Sequence, residues 1–281
     1  MMATLLSFPD QRMDRFVVFG NPVSHSLSPR IHALFAAQTG HTLSYEARLA
    51  PIGGFAEAVK AFIAEGGRGA NITLPFKSEA RALATRLSAR ALLADAVNCL
   101  DFRDGGIAGD NTDGAGLVRD LASNLGRDIA GARVLLLGAG GAARGAIAPL
   151  LALGPREMVV ANRSYARAAE LAAKFSSLGP ISARDLGQAS RLAFDLVINS
   201  TSAGLQGALP PVTAANFAPG ALAYDMVYGK ASEGFLAFAR SAGAQGCDGL
   251  GMLVEQAAES FLVWHGVRPD TRAAIDTLRA A

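Results

Sequence analysis

The chain has 281 residues, 51% hydrophobic and 18% charged, with a formal net charge of +2; this excludes extensive disorder and allows one large α/β domain or two smaller ones, of which two are expected. Its basic residues are scattered rather than gathered in a stripe, which argues against a nucleic-acid or membrane surface. The two cysteines, Cys99 and Cys247, lie outside any CxxC or Cys/His pattern, so neither a disulfide framework nor a zinc site is expected and no metal is called for.

The first fifteen residues, MMATLLSFPDQRMDR, hold no apolar stretch suited to a signal peptide, and no later run approaches a membrane span, so a soluble cytoplasmic protein is expected. Beyond them, short apolar runs alternate with longer segments of helical periodicity, the pattern of a parallel α/β architecture. A first strand is expected over Arg15 to Gly20, followed by a turn and a helix starting near Ser28 with Pro29 in its first turn. A strand over Leu43 to Arg48 leads into a helix over Phe55 to Glu65. A third strand, Gly69 to Thr73, ends at Leu74 and Pro75 ahead of another helix. Ala96 to Phe102 reads as one arm of a hairpin turning through Asp104, Gly105 and Gly106. A helix from Asp113 to about Leu125 precedes a clear strand from Ala132 to Gly138. Strands at Met158 to Ala161, Leu196 to Asn199 and Ala221 to Tyr224, with helices between, complete a Rossmann-like series. Two helical segments from Gly249 onward lie outside that series, so at least one is expected to pack on the first domain.

The strand ending at Gly138 runs into GAGGAARG. Glycines there let the chain turn sharply and bring backbone N–H groups to a pyrophosphate at a helix start. The fingerprint reads Gly138, Gly140 and Ala143, with Ala139, Gly141, Ala142 and Gly145 as further small residues of the turn and first helical turn. An acidic residue at the end of the next strand would bind the ribose hydroxyl of NAD, and a basic one the 2′-phosphate of NADP. This chain has Asn162, Arg163, Ser164 and Arg167 there and no carboxylate among them, which favours NADP. Arg167 alone reads equally well as a solvated helix charge.

Four other segments concentrate polar residues near strand ends. In GNPVSHSLSP, Ser26 and Ser28 can bind a carboxylate with a helix N-terminus, although Ser28 before Pro29 also reads as a simple N-cap. In NITLPFK, Thr73 and Lys77 flank a strand end. AVNCL supplies Asn98, and GDNTDG supplies Asp110, Asn111, Thr112 and Asp113, residue types that are also frequent helix caps. Brought together in a cleft, Lys77 and Asp113 would make a charged pair suited to proton transfer.

GNPVSHSLSP, NITLPFK, AVN, DNTDG, GAGGAARG, NRS, INSTSAG, DMVYGK and GMLVEQAA occur in this order over nearly the whole chain, and on them the chain closely resembles the shikimate dehydrogenase family. The resemblance implies NADPH-dependent reversible reduction of 3-dehydroshikimate to shikimate. It implies an N-terminal α/β substrate domain completed by C-terminal helices (1–112 and 249–281) and a Rossmann-like NADP-binding domain (113–248). It also implies that Ser26, Ser28 and Tyr228 bind the substrate carboxylate and that Thr73, Lys77, Asn98, Asp113 and Gln256 contact the ring hydroxyls and reacting carbonyl, with Lys77 and Asp113 as the catalytic pair. The Gly-rich loop with Asn162, Arg163, Ser164 and Arg167 matches the NADP clamp, and Thr201, Ser202, Met226 and Gly249 fall in segments lining the nicotinamide pocket. Two positions depart from the family pattern: Cys99 follows AVN, where threonine is frequent, and Lys230 follows DMVYG, where proline is usual. Cys99 reads as a small buried hydrophobe.

On this reading Lys77 stabilises the forming alkoxide and supplies its proton while Asp113 holds Lys77, so oxidation of shikimate should improve at alkaline pH. The alternatives are a quinate/shikimate dehydrogenase with broader cofactor use and a catalytically silent ligand sensor. Small-molecule ligands are the expected partners of a monomer or homodimer.

Overall fold

The computed structural model describes residues 13–280; the expectation of no signal peptide, resting on the first fifteen residues, falls almost wholly outside them. Two six-stranded sheets carry the architecture. The first has order β2-β1-β3-β5-β6-β4, built from β1 (Asp14–Gly20), β2 (Leu43–Leu49), β3 (Gly67–Ile72), β4 (Arg86–Leu87), β5 (Cys99–Asp101) and β6 (Ala108–Asp110). Phe16, Val17, Val18 and Phe19 of β1 are all buried, as a strand covered on both faces requires. β1 pairs in parallel with β2 and β3, whereas β5 runs antiparallel to β3 and forms a hairpin with β6. The hairpin arm expected over Ala96 to Phe102 is thus present as the shorter strand β5.

The second sheet has order β12-β11-β10-β7-β8-β9, from β7 (Arg133–Leu137), β8 (Glu157–Ala161), β9 (Ile181–Arg184), β10 (Phe194–Asn199), β11 (Phe217–Asp225) and β12 (Gln245–Cys247), all paired in parallel. Read from β9, this is the doubly wound order in which the succession of strands reverses between β7 and β10, the switch point where such sheets open a crevice at their carboxyl ends. The edge strands β9 and β12 lie outside the sequence expectation.

Helices α1 (Ser28–Thr39), α2 (Phe55–Ala64), α3 (Lys77–Leu83) and α4 (Ala89–Ala94) belong to the first half. Helix α5 (Asp113–Arg119) continues through a π-helical turn, Asp120–Asn124, so the single helix expected to Leu125 is two segments. Helices α6 (Gly141–Ala152), α7 (Tyr165–Phe175), α8 (Leu186–Ala189) and α9 (Glu233–Ser241) flank the second sheet. The chain closes with α10 (Leu250–His265) and α11 (Arg272–Arg279). Both return to α1: Leu250, Val254, Phe261, Ile275 and Leu278 share one apolar cluster with Ile31 and Phe35. α5 packs between α10 and α6 and so joins the halves. No helix among the described residues is long and apolar enough to cross a membrane.

Candidate active site

Lys77 opens α3 after the short turn that follows β3, and Asp113 opens α5 after the short link that follows β6. Their side chains meet, with Lys77 Nζ 2.5 Å from Asp113 Oδ2. The other carboxylate oxygen of Asp113 accepts from Asn98 Nδ2 at 2.9 Å. Asn98 Nδ2 also lies 2.8 Å from Thr112 Oγ1 and 3.2 Å from Gln256 Oε1 of α10, and its Oδ1 accepts the main-chain N–H of Thr112 at 2.7 Å. Four elements distant in sequence therefore place an ammonium, a carboxylate and two amides in one cluster. Asn98 and Gln256 are 2% and 8% exposed, whereas the Lys77 side chain is 20% exposed. The cluster is thus buried behind a lysine that still meets solvent, the arrangement needed to hand a proton to a bound molecule.

The loop before α1 lies in the same half. Ser26 Oγ accepts the main-chain N–H of Ser28 at 3.3 Å, and Leu27 occupies the N-cap position without a side-chain cap bond. Ser28 is therefore the first helical residue and not the cap, with Pro29 following it at the second position. Tyr228 reaches the same region from the other half: it packs with Leu27 beside the α1/α10 cluster, and burial pushes its phenol above the ordinary value. Thr73 donates its main-chain N–H to Phe19 O at 2.9 Å, closing the carboxyl end of β1 on β3.

On the other sheet, Gly138 has φ +108, a conformation that favours glycine, and a Cβ there would lie 2.6 Å from Ser200 Oγ across the switch point. A Cβ on Gly140 or Gly141 would meet nothing within 4 Å. The start of α6 therefore faces open space with its first N–H groups, the requirement for an approaching pyrophosphate. Asn162 is held by Nδ2 donating to Ser164 O at 3.0 Å, leaving Arg163 and Arg167 exposed beside it. Thr201 donates its main-chain N–H and its hydroxyl to Asn199 Oδ1, at 3.1 and 2.7 Å, and Asn199 Nδ2 donates to Asp225 at 3.0 Å. Burial raises the Asp225 carboxyl, offset in part by the Val227 N–H and Asn199. Gly249 has no room for a side chain, since a Cβ would stand 2.5 Å from Met226 O. This close approach brings the start of α10 against the loop after β11.

Residues 18–100 match the shikimate dehydrogenase substrate binding domain, residues 120–206 the shikimate / quinate 5-dehydrogenase family and residues 249–279 the shikimate 5′-dehydrogenase C-terminal domain. A curated NADP(+) shikimate dehydrogenase of Dechloromonas aromatica is 56% identical over 268 residues, covering 95% of this chain and 98% of that one. The chain belongs to the shikimate dehydrogenase family. Among solved structures, the Ael1 enzyme from Pseudomonas putida is 48% identical with a TM-score of 0.87, covering 94% of this chain and 98% of that one. Shikimate 5-dehydrogenase from Thermus thermophilus, in complex with NADP(H) and shikimate, is 33% identical with a TM-score of 0.82, covering 95% of this chain and 99% of that one.

Within this shikimate dehydrogenase fold, Asp110 of GDNTDG is taken up structurally. Arg90 donates to both of its carboxylate oxygens at 2.7 Å, and Ser88 donates to it as well. Burial works to raise the Asp110 carboxyl, but Arg90 and Ser88 more than offset that and hold it below its usual range. Cys99 is 1% exposed with its thiol pushed up by burial, and Lys230 is exposed in the turn Gly229–Ser232. Sequence reading passed over Asn71, Tyr45 and Ser260, which hydrogen-bond behind the Lys77 cluster. The available signal was an asparagine in β3 directly between the apolar Ala70 and Ile72.

Proposed function

We propose that this protein is an NADP-dependent shikimate dehydrogenase, which reversibly reduces 3-dehydroshikimate to shikimate in the pathway to chorismate and the aromatic amino acids. The observation that carries the reading is the 2.5 Å pair of Lys77 and Asp113, with Asn98 and Gln256 around it, at the strand ends of the first sheet. Residues 1–112 and 249–281 are taken as the substrate domain and 113–248 as the NADP domain. Bound NADPH supplies the hydride. Lys77, as an ammonium, faces the carbonyl oxygen, offsets the charge of the forming alkoxide and donates the proton to it; Asp113 keeps Lys77 in place. In the oxidative direction the neutral amine of Lys77 takes the proton back. Ser26, Ser28 and Tyr228 bind the substrate carboxylate, and Thr73, Asn98 and Gln256 bind the ring hydroxyls.

The cofactor fits the second sheet. The open N-terminus of α6 at Gly138, Ala139, Gly140, Gly141 and Ala142 takes the pyrophosphate, and the exposed Arg163 and Arg167 with Asn162 and Ser164 take the 2′-phosphate. Thr201, Met226 and Gly249 line the nicotinamide side. The test is loss of NADPH absorbance with 3-dehydroshikimate, repeated with NADH and, in the oxidative direction, with shikimate and quinate. Rapid turnover is expected with NADPH and 3-dehydroshikimate, and with NADP+ and shikimate in the oxidative direction. No turnover above background rejects the enzyme reading, and equal rates with NADH reject the NADP assignment.

A further inference from the structure

Behind Lys77 and Asp113 lies a line of buried amides and hydroxyls to which the proposed mechanism gives no task. Asn71, 5% exposed near the end of β3, donates Nδ2 to the main-chain oxygen of Asn98 at 3.1 Å and to Ser260 Oγ at 2.8 Å. Its Oδ1 accepts the Tyr45 hydroxyl at 2.8 Å. Tyr45 is stacked on His32 with ring centroids 4.1 Å apart, and burial pushes its phenol well above the ordinary value, so it remains a donor. Ser260 donates to Gln256 O at 3.1 Å and lies 3.3 Å from Thr112 Oγ1.

Counting donors fixes the direction of this line. With Tyr45 donating, the Asn71 amide is held oxygen toward Tyr45 and nitrogen toward Asn98. A flipped amide would set its oxygen against the Asn98 carbonyl. That carbonyl also accepts the Ile72 N–H at 2.8 Å, and the Asn98 N–H donates to Asp110 O at 3.0 Å, so the backbone of Asn98 is clamped between β3 and β6. Asn98 then directs its two amide hydrogens to its nearest acceptors, Thr112 Oγ1 and Asp113 Oδ1. Asp113 consequently accepts on both oxygens, from Asn98 and from Lys77.

We propose that Asn71 is a positioning residue: oriented by Tyr45, it locks Asn98 so that the Asn98 amide holds the Asp113 carboxylate aimed at Lys77. The proposal rests on the Lys77/Asp113 reading of the site. Asn71→Asp keeps the shape but replaces the donor to Asn98 and Ser260 with an acceptor, and Tyr45→Phe removes only the orienting hydroxyl. Asn71→Asp is expected to lower kcat about thirtyfold and Tyr45→Phe about fivefold, with KM for NADPH within about twofold of wild type. Both should shift the pH profile of kcat for shikimate oxidation, which a merely structural role leaves in place.

The deciding measurement is a double-mutant cycle with Lys77→Ala. If Asn71 acts through the pair, Asn71→Asp changes the residual turnover of Lys77→Ala less than about twofold. Equal losses in the two backgrounds, or a lowered Tm with unchanged kcat and pH profile, overturn the proposal. Should Asn71→Asp fail to fold, the cycle with Tyr45→Phe carries the same test. Near wild-type turnover of Lys77→Ala by itself defeats the underlying reading, whatever the Asn71 variants do.

Discussion

Lys77 and Arg163 are asked to do different work, and kinetics separates them. Lys77 is both the proposed proton donor and the counter-charge of Asp113, whose side chain is 8% exposed. Lys77→Ala removes both and leaves a mostly buried carboxylate held only by Asn98. The expected result is a fall in kcat of about a hundredfold or more with a smaller change in shikimate KM. A fall of less than about tenfold alongside lost affinity would make Lys77 a binding residue. Arg163 is exposed at the end of β8, where its guanidinium is free to meet a phosphate. Arg163→Ala is expected to raise KM for NADPH about tenfold or more while leaving KM for NADH nearly unchanged, since only the former carries the 2′-phosphate. Parallel rises for both cofactors would move Arg163 from phosphate recognition to general support of the loop.

At the scale of elements, α5 couples stability to chemistry because it carries Asp113 at its first residue and has almost no space around it. A Cβ on Gly114 would lie 2.1 Å from the backbone oxygen of Gly145 in α6, and one on Gly116 would lie 2.7 Å from the backbone nitrogen of Gln256 in α10. Backbone cannot give way as a flexible side chain can. Gly116→Ala is therefore expected to destabilise the protein by about 1–3 kcal/mol in urea unfolding and to lower kcat, because displacing α5 from α10 moves Asp113 away from Lys77. A stability loss with kcat intact would show that α5 is only a strut. The sequence announced the central strands, since β7, β8 and β10 each contain a buried apolar run of three or four residues, and it announced the Gly-rich turn, where Gly138 adopts positive φ. It did not announce β9 or β12: ISAR is half-buried throughout and QGC is three residues at an edge, so neither has an apolar period. Lys77, Asn98, Asp113 and Gln256 could be named from their segments, and the structure brings them within hydrogen-bonding distance. The role of Asn71 could not be, because its contact with Ser260 spans 189 residues and follows from packing α10 onto the first sheet.

That same packing governs how the whole molecule responds to acid. Three of the chain's four histidines, His32, His41 and His265, lie with Phe16, Tyr45, Phe261 and Trp264 where α1 and α10 close over the first sheet. His32 is fully buried, and burial lowers its pKa to about 3, with the neighbouring Asn71 offsetting part of the shift. Burial, with the neighbouring His41, lowers His265 to about 4. A histidine with a depressed folded value refuses a proton that the unfolded chain accepts near pH 6.5, so stability falls as pH drops below that value and goes on falling until the folded value is reached. The window is therefore about pH 6.5 to 3 for His32 and 6.5 to 4 for His265. At pH 5 the His32 contribution amounts to about 2 kcal/mol lost relative to neutral pH. Asp120 and Asp225 act in the opposite sense, because burial raises their carboxyls and the folded state takes up their protons first as pH falls. A bare pH profile mixes these terms, so the informative measurement compares variants. His32→Phe keeps an aromatic ring against Tyr45 and removes the titration. Its urea midpoint should fall distinctly less than that of wild type between pH 7 and pH 5, and identical declines in the two proteins would show that His32 does not set the acid limit.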